Sequence, residues 1–191
     1  MGTETILVVD DDEDILELIE RHLSNRGYEV LTAYDGEQAI SLLDQLKFDL
    51  VITDLKMPKF DGMEVLRKAK EKDPNIEVVI LTGHGTMDSV IEALRDGGAF
   101  DYLQKPLHNI KQLSFVTKKA LERKRLRLEN QKLLEGLTDT TSRLREKMMR
   151  VSKDLAGVVQ LVSSSSDKDI KNTVIPSLDA IIAVMKNEEI D

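Results

Sequence analysis

The sequence predicts an α/β fold: a five-stranded parallel sheet clad in helices, followed by an all-α helical extension. Three observations predict it. Short apolar runs alternate with stretches of helical periodicity through the first part of the chain. Acids close the first and third of those runs. Beyond Lys118 the strand pattern stops and a heptad pattern takes over.

Ile6-Leu7-Val8-Val9 is a continuous apolar run, the signature of a strand buried on both faces. Ile15, Leu18, Ile19 and Leu23 then recur at helical spacing, and Asn25-Arg26-Gly27 supplies a stop. Val30 to Ala33 reads as the second strand, and Ala39, Ile40, Leu42, Leu43 and Leu46 as the helix after it. Leu50-Val51-Ile52-Thr53 is the third strand, and Met63 to Ala69 its helix. Val78 to Thr82 and Val90 to Leu94 repeat the unit. A short strand near Tyr102-Leu103 precedes a last helix beginning after His108. Strands separated by helices call for right-handed parallel crossovers, which favour the flavodoxin-like order 2-1-3-4-5. The domain is expected to span residues 1–121.

From Lys118 to about Val162 there is no proline, only helix formers and charge. Leu134, Leu137, Thr141, Leu144, Met148, Val151, Leu155, Val158 and Val162 fall at alternating steps of three and four, a heptad seam with one polar interruption at Thr141. Gly136 and Gly157 lie off the seam, and each weakens a helix by about 1 kcal/mol. Residues 122–162 are therefore expected to form a linker helix and coiled coil. Ser163 to Ser166 marks a turn, and residues 163–191 carry a last helix that could fold back, with Pro176 starting or kinking it.

Composition narrows the function. Charged residues make up 32% and hydrophobic ones 41% of 191 residues, as in an ordinary soluble chain. No apolar run approaches the roughly 20 residues that span a bilayer, and no basic, apolar leader precedes Ile6, so a cytoplasmic location without membrane contact is expected. The absence of cysteine excludes disulfides, thiol catalysis and thiolate zinc sites. His22, His84 and His108 have no ligand-like spacing. A net charge of −8 argues against non-specific nucleic-acid binding by the whole surface.

The chemistry lies where the strands end. In an open parallel sheet, ligands bind beyond the carboxyl ends of the strands, near the reversal of strand order. The first strand runs into Asp10-Asp11-Asp12 and its neighbour, the third, into Asp54. Such carboxylates repel and raise one another's pKa unless a cation intervenes. A hard divalent ion with oxygen ligands resolves the conflict, and few carboxylates with room for water suit Mg²⁺. The fourth strand ends in Thr82 and the fifth runs into Lys105-Pro106. A carboxylate beside a metal can attack phosphorus to give an acyl phosphate, while a lysine and a hydroxyl hold the transferring oxygens. Asp12 and Asp14 are read as loop or helix-capping acids.

Ile-Leu-Val-Val-Asp-Asp at 6–11, Leu-Val-Ile-Thr-Asp-Leu-Lys-Met-Pro at 50–58 followed by Asp61-Gly62, Leu-Thr-Gly at 81–83 and Asp-Tyr-Leu-Gln-Lys-Pro at 101–106 resemble the CheY-like receiver domain of two-component response regulators. The resemblance spans about residues 4–121. It implies phosphorylation of Asp54 by a sensor histidine kinase or phosphotransfer protein. Mg²⁺ would be held by Asp10, Asp11, Asp54 and the backbone carbonyl of Lys56, and Asp12 leaves open which two acids of the triplet take part. Thr82 and Lys105 would contact the phosphoryl group, the Lys105–Pro106 bond would be cis, and Thr82 with Tyr102 would form the switch pair. The side chains of Lys56 and His84 would tune the lifetime of the phosphate, although His84 reads first as a loop residue.

Residues 107–135 look like the linker helix that joins receivers to the ATPase module of enhancer-binding activators. No G-x-x-x-x-G-K loop follows, so no attached ATPase is expected, and no histidine follows His108, so no phosphotransfer bundle is expected either. Lys118, Lys119, Arg123, Lys124, Arg125 and Arg127 form a basic stripe, read first as a solvated helix face and second as a contact for nucleic acid or an acidic partner. The expected output is a homodimeric helical tail that engages a downstream protein partner. A phosphorylation-controlled DNA-binding regulator is the alternative. No enzymatic activity is expected beyond phosphorylation and dephosphorylation of Asp54 itself.

Overall fold

The computed structural model describes residues 3–83, 91, 93–107, 109–164 and 168–187. The chain divides into two compact units, Met1–Glu129 and Asn130–Asp191.

In the first unit the strands are β1 (Thr5–Val9), β2 (Glu29–Ala33), β3 (Leu50–Asp54), β4 (Glu77–Thr82) and β5 (Asp101–Gln104). All pairings are parallel, in the order β2-β1-β3-β4-β5 expected from the sequence. Between them run α1 (Glu13–Ser24), α2 (Gly36–Gln45) and α3 (Gly62–Lys72). Residues 91 and 93–95 are helical, although much of that predicted helix lies outside the described residues. The helix α4 (Ile110–Ser163) leaves this unit and runs through the second, where α5 (Lys168–Asn187) follows. The expected boundary at 121/122 therefore falls within α4.

Period-two alternation distributes the strand side chains between two cores. Leu7, Val9, Val51, Val78 and Ile80 pack with Ala39 and Leu43 of α2 and Val65, Leu66 and Ala69 of α3. Ile6, Val8, Leu50, Ile52, Val79 and Leu81 pack on the other face with Leu16, Ile19 and Leu23 of α1 and Leu113, Val116 and Ala120 of α4. Each large aliphatic buried in this way contributes roughly 1.5–3 kcal/mol. An aspartate caps the start of each of the first three helices: Asp12, Asp35 and Asp61 accept from the N–H groups of Asp14, Gln38 and Glu64.

The basic stripe is only partly solvated. Arg123 and Arg127 pair with Glu77, and Lys124 pairs with Asp49 and Asp73 while donating to the Phe48 carbonyl at 3.1 Å. These bonds fasten α4 to the sheet at the opposite end from the Asp10–Asp54 crevice.

In the second unit α4 continues through Gly136 and Gly157, and α5 runs through Pro176 rather than starting there. Thr141, the polar break in the heptad seam, donates to the Leu137 carbonyl at 2.9 Å and so satisfies its hydroxyl within the helix. Met148, Ser152, Leu155, Val159 and Val162 form a half-buried stripe on α4, and Val174, Ile175, Leu178, Ile182 and Met185 form another on α5. Leu134, Leu137, Leu144, Val151 and Val158 remain exposed.

Candidate functional site

The ends of β1, β3, β4 and β5 converge. Asp10 follows β1, and its N–H donates to the Ala33 carbonyl at 3.1 Å, which keeps it in line with the sheet. Asp54 closes β3, flanked by Leu55 N–H donating to the Leu81 carbonyl at 2.9 Å. Thr82 closes β4, and Lys105, just past β5, donates from its backbone N–H to the Thr82 carbonyl at 2.7 Å. The Lys105–Pro106 peptide is cis, as the resemblance implied.

These backbones bring the side chains together. Lys105 Nζ donates to Asp54 Oδ2 at 2.7 Å and stands 2.6 Å from Asp10 Oδ2. Asp10 is fully buried and Asp54 nearly so, whereas Asp11 is exposed at the rim. Carboxylate oxygens of Asp10, Asp11 and Asp54 lie within 4.8 Å of one another. Asp12 is turned away, its Oδ1 accepting from Asp14 N–H at 3.0 Å as the cap of α1. Lys56 donates its backbone N–H to Asp54 Oδ1 at 3.4 Å, while its side chain is exposed. Buried Thr82 donates its hydroxyl to the Gly83 carbonyl at 3.2 Å. Tyr102 is half-buried on β5, in register with Ile80 of β4. His84 lies outside the described residues.

Burial pushes the Asp10 carboxyl above its ordinary value, against the contact with Lys105, the Asp12 N–H and the lysine's charge; the charge of Asp54 pushes the same way as burial. Burial alone would lower Lys105, but its contacts with Asp10 and Asp54 outweigh it and leave the ammonium held above its usual range. The crevice is thus an electrostatic compromise in which one cation serves two buried acids.

The donor set fits a divalent cation. Three clustered carboxyls share a single ammonium, which stands 2.6 Å from Asp10 Oδ2 and 2.7 Å from Asp54 Oδ2. Hard oxygens that outnumber the positive charge beside them suit a divalent cation. A cleft opens over the cluster, lined by Asp11, Asp12, Ile15, Gly83, Lys105 and Pro106.

Gly62 was not singled out by sequence reasoning, yet a Cβ there would lie 2.1 Å from the Asp54 carbonyl oxygen. The glycine lets the start of α3 press against the end of β3. Its only signal was its position after Asp61 in the 50–62 motif.

A family model described as response regulator receiver domain matches residues 6–117. The C4-dicarboxylate transport transcriptional regulatory protein DctD of Pseudomonas aeruginosa is 32% identical over 178 residues, covering 86% of this chain and 38% of the relative. The nitrogen assimilation regulatory protein NtrX of Azorhizobium caulinodans is 30% identical over 185 residues, covering 92% of this chain and 40% of the relative. The chain thus spans less than half the length of these relatives. Among solved structures, a response regulator receiver domain protein from Clostridium thermocellum is 42% identical with a TM-score of 0.60, covering 64% of this chain and 98% of that one. Brucella abortus NtrX is 34% identical with a TM-score of 0.64, covering 69% of this chain and 30% of that one.

Proposed function

Because the chain belongs to the response regulator receiver family, we propose that Asp54 takes up a phosphoryl group from a sensor histidine kinase or phosphotransfer protein. The observation that carries this reading is the convergence of Lys105 on Asp10 and Asp54. The phosphorus–nitrogen bond of a phosphohistidine donor breaks, a phosphorus–oxygen bond forms at the Asp54 carboxylate, and imidazole departs. Lys105 exchanges part of its contact with the acids for an oxygen of the incoming group, and Thr82 turns its hydroxyl from the Gly83 carbonyl to another. Mg²⁺, held by Asp10, Asp11, Asp54 and the Lys56 carbonyl, supplies positive charge to offset the phosphoryl oxygens when bound. Water later hydrolyses the acyl phosphate to inorganic phosphate and free Asp54. Thr82 moving inward vacates space that the half-buried ring of Tyr102 can enter, and this repacks the face around β5.

The output we propose is a dimeric helical tail that binds a downstream protein partner. A helix of 20 residues, such as α5, is about 30 Å long. Folded back along the end of α4, it would not reach Leu133, Leu134 and Leu137, which are 61–65% exposed. A second copy offers the same stripe in the same register, and two such helices bury it in a coiled coil.

A DNA-binding regulator is the second reading, favoured by the names of the DctD and NtrX relatives. Arg123, Lys124 and Arg127 are engaged with buried or partly buried acids of the chain itself and Lys119 pairs with Glu122, which leaves Lys118 and Arg125 of the stripe to meet a phosphate backbone. That weighs against it.

The test is incubation of the full chain with acetyl phosphate and Mg²⁺, followed by intact mass and sedimentation. One phosphoryl group is expected on the wild type and none on Asp54→Asn, with a change of mass or shape in sedimentation only where Asp54 is present. A phosphorylated Asp54→Asn chain would refute the acceptor. A monomer in both states would refute the dimeric tail, and salt-sensitive duplex binding that strengthens on phosphorylation would favour the second reading.

A further inference from the structure

The segment between β3 and α3 carries Lys56 past Asp54, and it is gripped from outside the crevice. Its far end rests on the first turn of α2. A Cβ built on Gly36 would lie 2.5 Å from Phe60 Cβ and 2.6 Å from the Phe60 carbonyl oxygen. No side chain fits at 36 while Phe60 keeps its place, and the obstruction includes backbone that cannot swing aside. Lys59, just before it, has φ 67°, the left-handed region that residues other than glycine seldom occupy. Its ammonium reaches to α2, 3.2 Å from Glu37 Oε2 and 3.9 Å from Asp35 Oδ2. Asp35 thereby does two tasks, since its Oδ1 accepts from Gln38 N–H at 2.8 Å as the cap of α2. At the near end, Gly62 N–H donates to the Leu55 carbonyl at 3.1 Å, and Gly62 itself abuts the Asp54 carbonyl. The intervening backbone is anchored at both ends.

We infer that Gly36 and Lys59 are positioning residues for the magnesium site: the contact of Phe60 on Gly36, with the left-handed turn at Lys59, sets where the Lys56 carbonyl stands relative to the Asp54 carboxylate. This rests on the reading of Lys56 and Asp54 as magnesium ligands. A Cβ at 36 displaces Phe60 through its backbone, and the shift has only residues 57–59 in which to dissipate before it reaches Lys56. Neither Gly36 nor Lys59 is among the acids and lysine of the crevice, so a change of metal affinity has to travel through the loop. Groups that orient metal ligands from outside commonly alter affinity by about 10–100-fold.

Calorimetric titration of the full chain with Mg²⁺ alone, with a circular-dichroism melt beside each variant, tests the inference. Gly36→Ala and Lys59→Pro are expected to raise the magnesium Kd by about tenfold or more. Proline fixes φ near −65° and cannot make the left-handed turn, whereas glycine can. Lys59→Gly is accordingly expected to bind within about threefold of wild type, a far smaller change than outer-shell losses produce. Wild-type affinity in both Gly36→Ala and Lys59→Pro overturns the inference, as does an equal loss in Lys59→Gly and Lys59→Pro. If Gly36→Ala does not fold, the Lys59 pair decides alone. A wild-type chain that ignores Mg²⁺, or an Asp54→Asn chain that binds it equally well, overturns the site reading beneath the inference. Binding that depends on Asp54 but ignores residues 36 and 59 overturns the positioning role only.

Discussion

Arg123 grips Glu77 across 46 positions of sequence. Its Nε donates to Oε1 at 2.9 Å, Nη2 pairs with Oε2, and the guanidinium lies 4.6 Å from the centre of the Phe100 ring. Glu77 is fully buried at the first residue of β4, whose last residue is Thr82. One strand thus carries an ion pair at one end and a residue of the proposed phosphoryl site at the other.

Removing the acid should show what the pair is worth. Glu77→Ala leaves Arg123 without its bidentate partner and Arg127 without its neighbour at 3.6 Å. The arginines left behind are about two-fifths exposed, so the loss should fall below the roughly 3–5 kcal/mol of a fully buried pair broken from one side and above the roughly 1 kcal/mol of an exposed one, to be read by urea denaturation of the full chain. A loss below about 1 kcal/mol, the range of exposed pairs, would show that the cluster is solvated.

Asp10 should impose a pH dependence. Its carboxyl is held above the ordinary 3.8 by burial, so the folded chain keeps that proton to higher pH than the unfolded chain. The stability it contributes is full below pH 3.8 and is lost as pH rises through the raised value. Lys105, also raised, has the same sign in the alkaline range, its contribution falling away as pH climbs through its folded value above 10.5. Asp10→Asn cannot ionise, so without Mg²⁺ it should melt higher than wild type at neutral pH, with the gap closing towards acid. Added Mg²⁺ should raise the wild-type melting temperature and leave Asp10→Asn unmoved. A variant that melts below wild type at neutral pH would overturn this account.

Charges placed in the exposed stripe of α4 should separate the tails. Leu137→Asp with Leu144→Asp puts carboxylates at positions that a second copy would cover, where like charges meet across the seam. Sedimentation should show mass falling from dimer to monomer, while uptake of phosphate at Asp54 persists. Unchanged mass in the double variant would place self-association elsewhere.

The sheet order was legible because each strand is a local apolar run, and the crevice because its residues sit at the ends of those runs. Asp12 as a helix cap was legible for the same local reason. The Glu77–Arg123 pair was not: a glutamate before an apolar run reads as a polar flank, and an arginine among lysines reads as a solvated face. Only the fold brings β4 and α4 together. The contact of Gly36 with Phe60 was equally hidden, since an Asp-Gly pair at a helix start signals a cap and not what lies across from it. Helix continuity through Gly136 and Gly157 was legible, because single residues that weaken a helix are outvoted by the good formers around them. Of the two roles offered for Pro176, starting the helix is the one that α5 excludes, since the helix runs through it.

The two polar clusters at opposite ends of the sheet have an electrical consequence. Between Asp54 and Glu77 lie strands of five and six residues whose side chains are almost wholly hydrocarbon. A strand of that length spans about 17–20 Å, too far for contact, yet salt screens little between groups buried in hydrocarbon. The sheet therefore behaves as a thin dielectric with a terminal at each end. A unit charge added at one terminal would be felt at the other by on the order of 1 kcal/mol at an effective dielectric of about 20. The Glu77–Arg123 pair at the far terminal carries charges of both signs, so much of that field cancels across it. What passes between the ends of this unit then goes mainly by shape, through the packing of β4, β5 and α4.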